Sequence, residues 1–315
     1  MPTPGGAAAR PDPALNEQIV DTLELIFGKH PGFRPAHAKG VLYQGMFTPA
    51  RTAATLSRAP HLQGSPTPVT VRFSDATGIP QIPDADPNAS PHGLAIRFHL
   101  AKGAEADIVA HSFNGFPVAT AQEFLEFLRA LAASGPDAPA PPPIATFLAS
   151  HPAAARFVAP KPVPTSFASE SYYAVNAFRF TNREGKSRYG RYQIHPIAGE
   201  QHLDAGTAAS LAPNFLFDEL ARRVTGGPVQ LRLVVQLAAE GDPVADASRT
   251  WPDDRPTMEL GTLSITKPVA DSDAAQRKLI FDPTHLADGI EASGDPLLPV
   301  RSEVYAISYR RRNQK

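Results

Sequence analysis

No cysteine occurs among the 315 residues of the chain. Disulfide bonds, thiolate–metal ligation, iron–sulfur clusters and cysteine nucleophiles are therefore excluded, and any metal chemistry must use histidine, tyrosine or carboxylate side chains. No apolar run approaches ~18 residues, so we expect no membrane span. The formal net charge is only −1, so no overall field favours nucleic acid or an anionic membrane surface as a partner.

Dinucleotide-binding and secretion signals are missing too. The chain has neither a Gly-x-Gly-x-x-Gly motif nor a regular strand–helix–strand alternation, which argues against a dinucleotide-binding domain. The first 15 residues are rich in Pro, Gly and Ala and lack the apolar segment of a signal peptide, which favours a cytoplasmic location. With 42% hydrophobic residues, we expect one domain over residues 1–315, with residues 1–14 flexible.

Short alternating apolar segments predict strands, and longer segments with helical spacing predict helices. The strands come in antiparallel groups, with helices inserted between them and appended at the end, which favours an α+β fold with an antiparallel β-barrel core. The predicted strands are 68–74, 93–100, 107–109, 172–180, 187–196, 229–238 and 258–266, with a further extended segment over 32–40. The predicted helices are 14–28, 120–134, 144–150, 152–158, 215–224 and a last one from about residue 299.

A tyrosine lies four residues after an arginine near the end of the chain. If this segment is helical, Arg301 and Tyr305 share one face of the helix. A free tyrosine hydroxyl titrates near ~10, but a guanidinium beside it stabilises the phenolate, which is a hard donor suited to Fe(III). The alternative is a C-terminal helix whose basic last turn simply complements the helix dipole.

Other candidate positions are ambiguous on their own. His37 is either a general base beside a pocket or a structural histidine. Arg72 interrupts an apolar strand and points either into a pocket or to solvent. Phe116 and Phe124 are core aromatics unless a ligand packs on them.

Four segments together resemble the haem catalases. They occur in the order and with the spacing of that family, and the similarity covers roughly residues 20–315. The resemblance is to the short, catalase-related peroxidase branch, which lacks the N-terminal arm and C-terminal extensions of full-length catalases. The matching segments are Arg34 to Gly40, Val71 to Ser74, Phe281 to Thr284, and Gly289 to Tyr305 with Asp295 and Arg301 inside it.

The resemblance implies a role for each matching position. Tyr305 would be the phenolate ligand of the iron of haem b, with Arg301 hydrogen-bonded to it. His37 would be the acid/base on the opposite, distal side, and Ser74 would fix the tautomer of its imidazole. The positions implied to bind the porphyrin are Arg34, Arg72 and Arg312 for the propionates, and Phe116 and Phe124 for the macrocycle.

One position departs from the pattern of the catalases. Classical members have a distal asparagine within the segment that corresponds to residues 107–114. The aligned residue is His111, which we assign to the catalytic group, and Asn114 lies three residues later. Either side chain could occupy the distal pocket, because a shift of register would exchange them.

The resemblance implies a peroxidase. It would reduce hydrogen peroxide or organic hydroperoxides with small aromatic electron donors, and its catalase activity would be weak because His111 replaces the asparagine. A homodimer is compatible with the sequence, although no feature requires one. Three alternatives stay open: an isomerase of fatty-acid hydroperoxides similar to allene oxide synthases, a non-enzymatic haem-binding barrel, and a barrel that binds an apolar ligand without haem.

Overall fold

An eight-stranded antiparallel β-barrel forms the centre of the molecule in the computed structural model, which describes residues 12–314. Helices are inserted between the strands and at both ends of the described chain. The strands are β1 (Gly40–Pro49), β2 (Thr67–Ser74), β3 (Gly93–His99), β4 (Glu105–His111), β5 (Val163–Pro164), β6 (Tyr172–Tyr173), β7 (Phe178–Thr181), β8 (Ser187–Pro196), β9 (His202–Leu203), β10 (Val229–Leu237), β11 (Thr257–Pro268) and β12 (Ile290–Ala292). The helices are α1 (Pro13–Phe27), α2 (Ala53–Leu56), α3 (Ala121–Ala132), α4 (Pro143–Ser150), α5 (Pro152–Val158), α6 (Ala205–Ala209), α7 (Phe215–Gly226), α8 (Ser272–Arg277) and α9 (Leu297–Asn313).

The barrel closes because β8 pairs with β10 as well as with β6 and β7. The ring runs β10–β11–β1–β2–β3–β4–β6–β8 and back to β10, and β7 and β12 extend from β8 outside it. Closure leaves no free edge in the ring, which explains how so many short strands form one stable sheet. The predicted barrel is confirmed.

Strands β2 and β3 show how the apolar interior arises. Side chains alternate between the two faces of a strand, so every second residue points the same way. Three residues of β2 pair with three of β3 on the interior face, and the antiparallel register brings all six together. The pairs, all buried, are Val69 with Phe98, Val71 with Ile96, and Phe73 with Leu94.

A second apolar cluster lies among the helices α1, α3 and α9. It brings the helix with the Arg301–Tyr305 pair against the first helix of the described chain. The guanidinium of Arg311 on α9 forms salt bridges with three carboxylates of α1, namely those of Glu17, Asp21 and Glu24. The apolar contacts of the cluster come from Ile19, Leu23, Leu125, Leu128, Val300 and Val304.

Most predicted elements are observed within a few residues of their predicted bounds. The capping box at Thr120 is present: its hydroxyl accepts from the amide of Glu123, whose carboxylate accepts from the amide of Thr120. The prediction that residues 13 and 14 are flexible is wrong, because Asp12 caps α1 and the helix begins at Pro13. The rest of that prediction, for residues 1–11, lies outside the described residues. No helix of residues 12–314 has the length and apolar character of a membrane crossing.

Two predictions of extended structure are wrong. The segment before β1 is irregular, and His37 adopts a left-handed backbone with φ 54°, because its amide and that of Ala38 bond to the loop carbonyls of Ala76 and Thr77. The long strand predicted over 172–180 is split into β6 and β7. Between them, the side chain of Asn176 donates a hydrogen bond to Asp295, which lies outside the sheet.

Candidate active site

A cavity of about 450 Å³ lies between the barrel and the helices α1, α3 and α9. Most of its wall is apolar, which is typical of pockets for small molecules and cofactors. Among the described residues, Asn114 is not part of the lining, whereas His111 is. Every site residue predicted from the sequence lines this one cavity: Arg34, His37, Arg72, Ser74, His111, Phe116, Phe124, Arg301, Tyr305 and Arg312.

Tyr305 and Arg301 lie one turn apart on α9, as the spacing predicted. The hydroxyl oxygen of Tyr305 accepts two hydrogen bonds from the same guanidinium, from Nε at 3.1 Å and from Nη2 at 3.0 Å. Donors that carry a positive charge form the stronger class of hydrogen bond, and two of them on one oxygen stabilise negative charge there. The guanidinium of Arg301 therefore holds the phenol oxygen in one position on the wall of the cavity.

Arg301 is itself held by a second pair of side chains, which sequence reasoning did not connect to it. Its Nη1 donates to the amide oxygen of Asn176, and Asn176 Nδ2 donates to the Asp295 carboxylate at 2.8 Å. Burial raises the pKa of Asp295, and the backbone amide of Leu297 donates to its other oxygen. The role of Asn176 was missed because a lone asparagine gives no sequence signal; Asp295 belonged to a matching segment.

His37 contacts Ser74 on the barrel side of the cavity, with 3.1 Å between Nδ1 and the hydroxyl oxygen. This contact leaves Nε2 as the ring nitrogen available to a ligand. Burial, followed by the positive charge of Arg72, lowers the pKa of His37 to about 3, so its imidazole is neutral near pH 7. A neutral imidazole can accept a proton and return it, which is the chemistry required of a general acid/base.

Glycine at position 93 makes the contact between His37 and Ser74 possible. A Cβ atom at Gly93 would lie 2.5 Å from the hydroxyl oxygen of Ser74 and 2.8 Å from Nδ1 of His37. Real Cβ atoms essentially never approach other heavy atoms this closely. The first residue of β3 therefore positions the imidazole without touching a ligand, and sequence analysis did not identify it.

Three arginines gather at the cavity without a carboxylate partner within salt-bridge distance in the described part of the chain. Arg72 donates to the Gln276 side chain and to the carbonyl of His37, while Arg34 and Arg312 both donate to the carbonyl of Leu279. Burial and mutual repulsion lower the pKa of Arg72 to about 9, and burial lowers the pKa of Arg312 to about 10. Such a cluster of uncompensated cations fits a ligand with more than one negative charge.

His111 supplies a hydrogen-bond donor to the cavity. Its Nδ1 accepts from the backbone amide of Phe113 at 3.3 Å, so the proton of the neutral ring is on Nε2. This Nε2 is buried and has no hydrogen-bond partner within residues 12–314. Burial, followed by the charge of Arg301 and the neighbouring His37, lowers the pKa of His111 to about 3. The ring thus presents one unsatisfied N–H near neutral pH.

Aromatic side chains form a further part of the wall. The ring centroids of Phe116 and Phe124 are 5.2 Å apart, and Phe157 lies 6.3 Å from Phe116. These rings are partly exposed to the cavity rather than fully buried in a core. They offer flat apolar surface to a planar ligand.

Comparison with known proteins shows which family the chain resembles over nearly its whole length. The sequence pattern of the family described as Catalase matches residues 28–314. The chain is 36% identical to the protein named Catalase-related peroxidase from Mycolicibacterium paratuberculosis, over 94% of each sequence. A protein of the same name from Synechococcus elongatus is 34% identical, over 95% of this chain and 88% of that protein.

Longer relatives match over part of their length. Catalase-2 of Bacillus subtilis is 28% identical, over 85% of this chain and 42% of that protein. A crystal structure of a fungal catalase superposes with a TM-score of 0.78 at 21% identity, over 90% of this chain and 60% of the fungal one, and so supports the fold. Since the family pattern covers nearly the whole chain and the resemblance seen in the sequence is confirmed, this chain belongs to the catalase family.

Proposed function

We propose that the protein is a haem-dependent peroxidase that reduces hydrogen peroxide or organic hydroperoxides with electrons from small organic donors. The observation that carries the proposal is the Tyr305 oxygen, held by two N–H groups of Arg301, in the same cavity as the neutral imidazole of His37. Two relatives of 36% and 34% identity bear the name Catalase-related peroxidase, which favours this activity.

The residues that surround the cavity fit haem b. Tyr305 would bind the iron through its phenolate oxygen, and the three uncompensated arginines would pair with the two propionates. Haem, when bound, supplies the redox-active iron that cleaves the peroxide bond and passes the oxidising equivalents to donors. The aromatic pair Phe116 and Phe124 would pack against the macrocycle.

The protein's own part in the reaction is proton transfer and orientation. His37 Nε2 would take the proton from one peroxide oxygen and return it to the other, so that the leaving oxygen departs as water or an alcohol. Ser74 holds the proton of the imidazole on Nδ1 when its hydroxyl accepts from that nitrogen, which keeps the lone pair of Nε2 towards the cavity. Overall, one peroxide and two donor hydrogens give one alcohol or water, one further water and two donor radicals.

The distal His111 sets the balance between the two peroxide reactions. A catalase reaction requires a second peroxide to be positioned as the reductant, whereas a peroxidase reaction uses an external donor. We expect the imidazole of His111 to position a second peroxide less well than the asparagine of classical catalases does. Donor oxidation should therefore exceed oxygen evolution.

One preparation tests the proposal. The purified protein is loaded with haem, its absorption spectrum is recorded, and donor oxidation and oxygen evolution are measured on the same sample. A Soret band with donor oxidation faster than oxygen evolution is the expected result. A protein that gains no Soret band from added haem contradicts the cofactor, and oxygen evolution as the faster reaction contradicts the peroxidase assignment.

A second activity, isomerisation of fatty-acid hydroperoxides, is favoured by one feature. The helical side of the cavity is apolar and includes Leu23 and Phe27 of α1 together with Leu128 and Leu131 of α3. Such a wall suits an acyl chain. Incubation with a lipid hydroperoxide and no reducing donor separates the two activities, because only isomerisation consumes the hydroperoxide catalytically under those conditions.

A further inference from the structure

A lysine interrupts the largely apolar wall of the cavity that His111 also lines. Lys161 follows α5 and lines the cavity together with Phe157. Its Nζ donates to the carbonyl oxygen of Phe157 and to that of Ala159, the latter at 2.9 Å. The same ammonium lies 4.6 Å from the centroid of the Phe113 ring and 5.7 Å from that of Phe157. These contacts place a cation at the border of an otherwise apolar region.

The ammonium is incompletely compensated. An ammonium has three N–H donors, and two carbonyl oxygens account for two of them. No carboxylate of residues 12–314 lies within 4.0 Å of it. Burial lowers the pKa of Lys161, which means that its surroundings disfavour the positive charge. An anion bound here would use the remaining donor and reverse that penalty.

His111 provides a second polar group on the wall of the same cavity. The ring centroids of His111 and Phe157 are 6.0 Å apart, and Nζ of Lys161 lies 5.7 Å from the centroid of the same Phe157 ring. The charge of Lys161 also contributes to the lowered pKa of His111, after burial and the charges of Arg301 and His37. The Nε2–H of His111 has no acceptor in the described chain. One oxygen-rich anion in the cavity could accept from both groups, with the ring of Phe157 against its apolar part.

A structural role must be separated from a ligand role. Lysines often bind the last carbonyls of a helix, and Phe157 and Ala159 flank the end of α5 at Val158. A cap of this kind contributes to stability but does not discriminate between ligands. Its loss would change the unfolding temperature and leave ligand preference unaltered.

We propose that Lys161 binds the carboxylate of an apolar substrate, with the Nε2–H of His111 as a second donor. The substrate would be either a hydroperoxide with a carboxylate, such as that of a fatty acid, or an electron donor with a carboxylate, such as a hydroxybenzoate. The proposal rests on the peroxidase function and narrows its substrates to carboxylates with an apolar body. Neutral peroxides would still react, without this preference.

The test compares matched pairs that differ only in charge. The haem-loaded wild type, Lys161→Gln and Lys161→Arg are assayed with a fatty-acid hydroperoxide and its methyl ester, and separately with 4-hydroxybenzoate and its methyl ester. In the wild type we expect a lower KM for the carboxylate than for the ester in one of the two pairs. Lys161→Gln should raise the KM of the carboxylate relative to the KM of its ester by about 10-fold, which corresponds to the loss of one hydrogen bond to a charged group. Lys161→Arg should retain most of the preference.

The pair of compounds whose KM ratio changes in Lys161→Gln shows whether the bound carboxylate belongs to the peroxide or to the electron donor. Lys186→Gln is the matched control, because this lysine is 78% exposed and pairs with Glu184. It should leave both ratios unchanged. Thermal unfolding of each variant measures the contribution of the helix cap independently of the ratios.

Calorimetric titration with octanoate and with octan-1-ol gives a readout that requires no turnover. We expect the wild type to bind octanoate more tightly than the alcohol, and Lys161→Gln to lose that difference. Equal ratios and equal affinities in wild type and Lys161→Gln would overturn the proposal and leave Lys161 as a helix cap, with the peroxidase function intact. A protein that binds octanoate through Lys161 but reduces no peroxide would contradict the peroxidase function and not the carboxylate site.

Discussion

The two functional sides of the cavity differ in how completely their polar groups are satisfied. On the tyrosine side, a continuous chain of hydrogen bonds joins Asp295, Asn176, Arg301 and Tyr305. On the histidine side, Nδ1 of His37 forms a hydrogen bond with Ser74, and Nε2 of His111 has no partner in the described chain. One side is a rigid network and the other keeps unused hydrogen-bonding capacity.

Under the proposed function, this difference follows from what each side would bind. A permanent ligand requires one fixed donor atom, and a network that holds the donor from behind reduces its freedom before binding. A substrate that enters and leaves requires polar atoms that are held in place but not already paired. Nitrogens without a hydrogen-bond partner are therefore expected on the substrate side, where a bound peroxide would form the missing hydrogen bonds.

Removal of the phenol should have the largest effect. Tyr305→Phe deletes the oxygen that accepts from Nε and Nη2 of Arg301, and it leaves these two donors without their acceptor. We expect the variant to lose most of its haem, measured as the Soret absorbance per protein after gel filtration. Tyr189→Phe, at an exposed site on β8, is the matched control and should retain haem. Full haem retention by Tyr305→Phe would refute the ligand assignment.

Loss of the distal imidazole should have the next largest effect, on rate rather than on haem content. His37→Ala should keep the Soret band but react with peroxide at least ~100-fold more slowly, the usual size of lost general acid–base catalysis. Stopped-flow absorbance measures this rate. His99→Ala, at a half-exposed site on β3, should react as the wild type does. An unchanged rate in His37→Ala would remove this residue from the mechanism.

A methyl group behind the imidazole should have a smaller effect of the same kind. Gly93→Ala places a Cβ 2.5 Å from the hydroxyl oxygen of Ser74 and 2.8 Å from Nδ1 of His37, so this pair of side chains must shift. We expect the peroxide reaction to slow by about 10-fold, with haem content maintained, because misplacement of a reacting group affects the rate more than binding. Gly135→Ala is the control, since its Cβ would meet no atom within 4 Å. Equal rates in both variants would show that His37 tolerates the displacement.

Helix α9, which carries Tyr305, is held against α1 by salt bridges at the surface, and their loss should lower the stability of the protein. Arg311→Gln removes salt bridges to three carboxylates of α1 and should lower the free energy of unfolding by about 1 kcal/mol in urea at low salt. The difference should shrink in 1 M salt, because the pairs are partly exposed. Arg310→Gln, on the more exposed neighbouring arginine, should change stability less. Equal effects of the two substitutions would contradict a special role of Arg311.

The smallest expected effect is that of pH on the peroxide reaction. Burial lowers the pKa of His37 to about 3, so the imidazole stays in its basic form at every pH above that value. The rate constant should be flat between about pH 5 and 8 and should fall only as the pH approaches 3, where His37 is protonated. A decline centred near ~6.5, the ordinary histidine value, would show that His37 is not shielded as the structure indicates.

Prediction from sequence succeeded where the signal is local or forms a family pattern. The capping box at Thr120 was found because all its donors and acceptors lie within four residues. The cavity residues were found because their segments resemble those of catalases. The left-handed backbone of His37 was not found, since it depends on hydrogen bonds to the distant loop at Ala76 and Thr77. The contact of Asn176 with Arg301, 125 positions later, carries no local signal at all.

The sequence by itself determined the absence of thiol chemistry, the positions of most strands and helices, and the family to which the site residues belong. These properties depend on residue type and on periods of two or 3.6 residues. Only the tertiary structure decided that His111 rather than Asn114 lines the cavity, that Gly93 leaves room for His37, and that Lys161 and His111 line the same cavity near the ring of Phe157. Those facts arise from packing between segments far apart in the chain, which a reading of neighbouring residues does not contain.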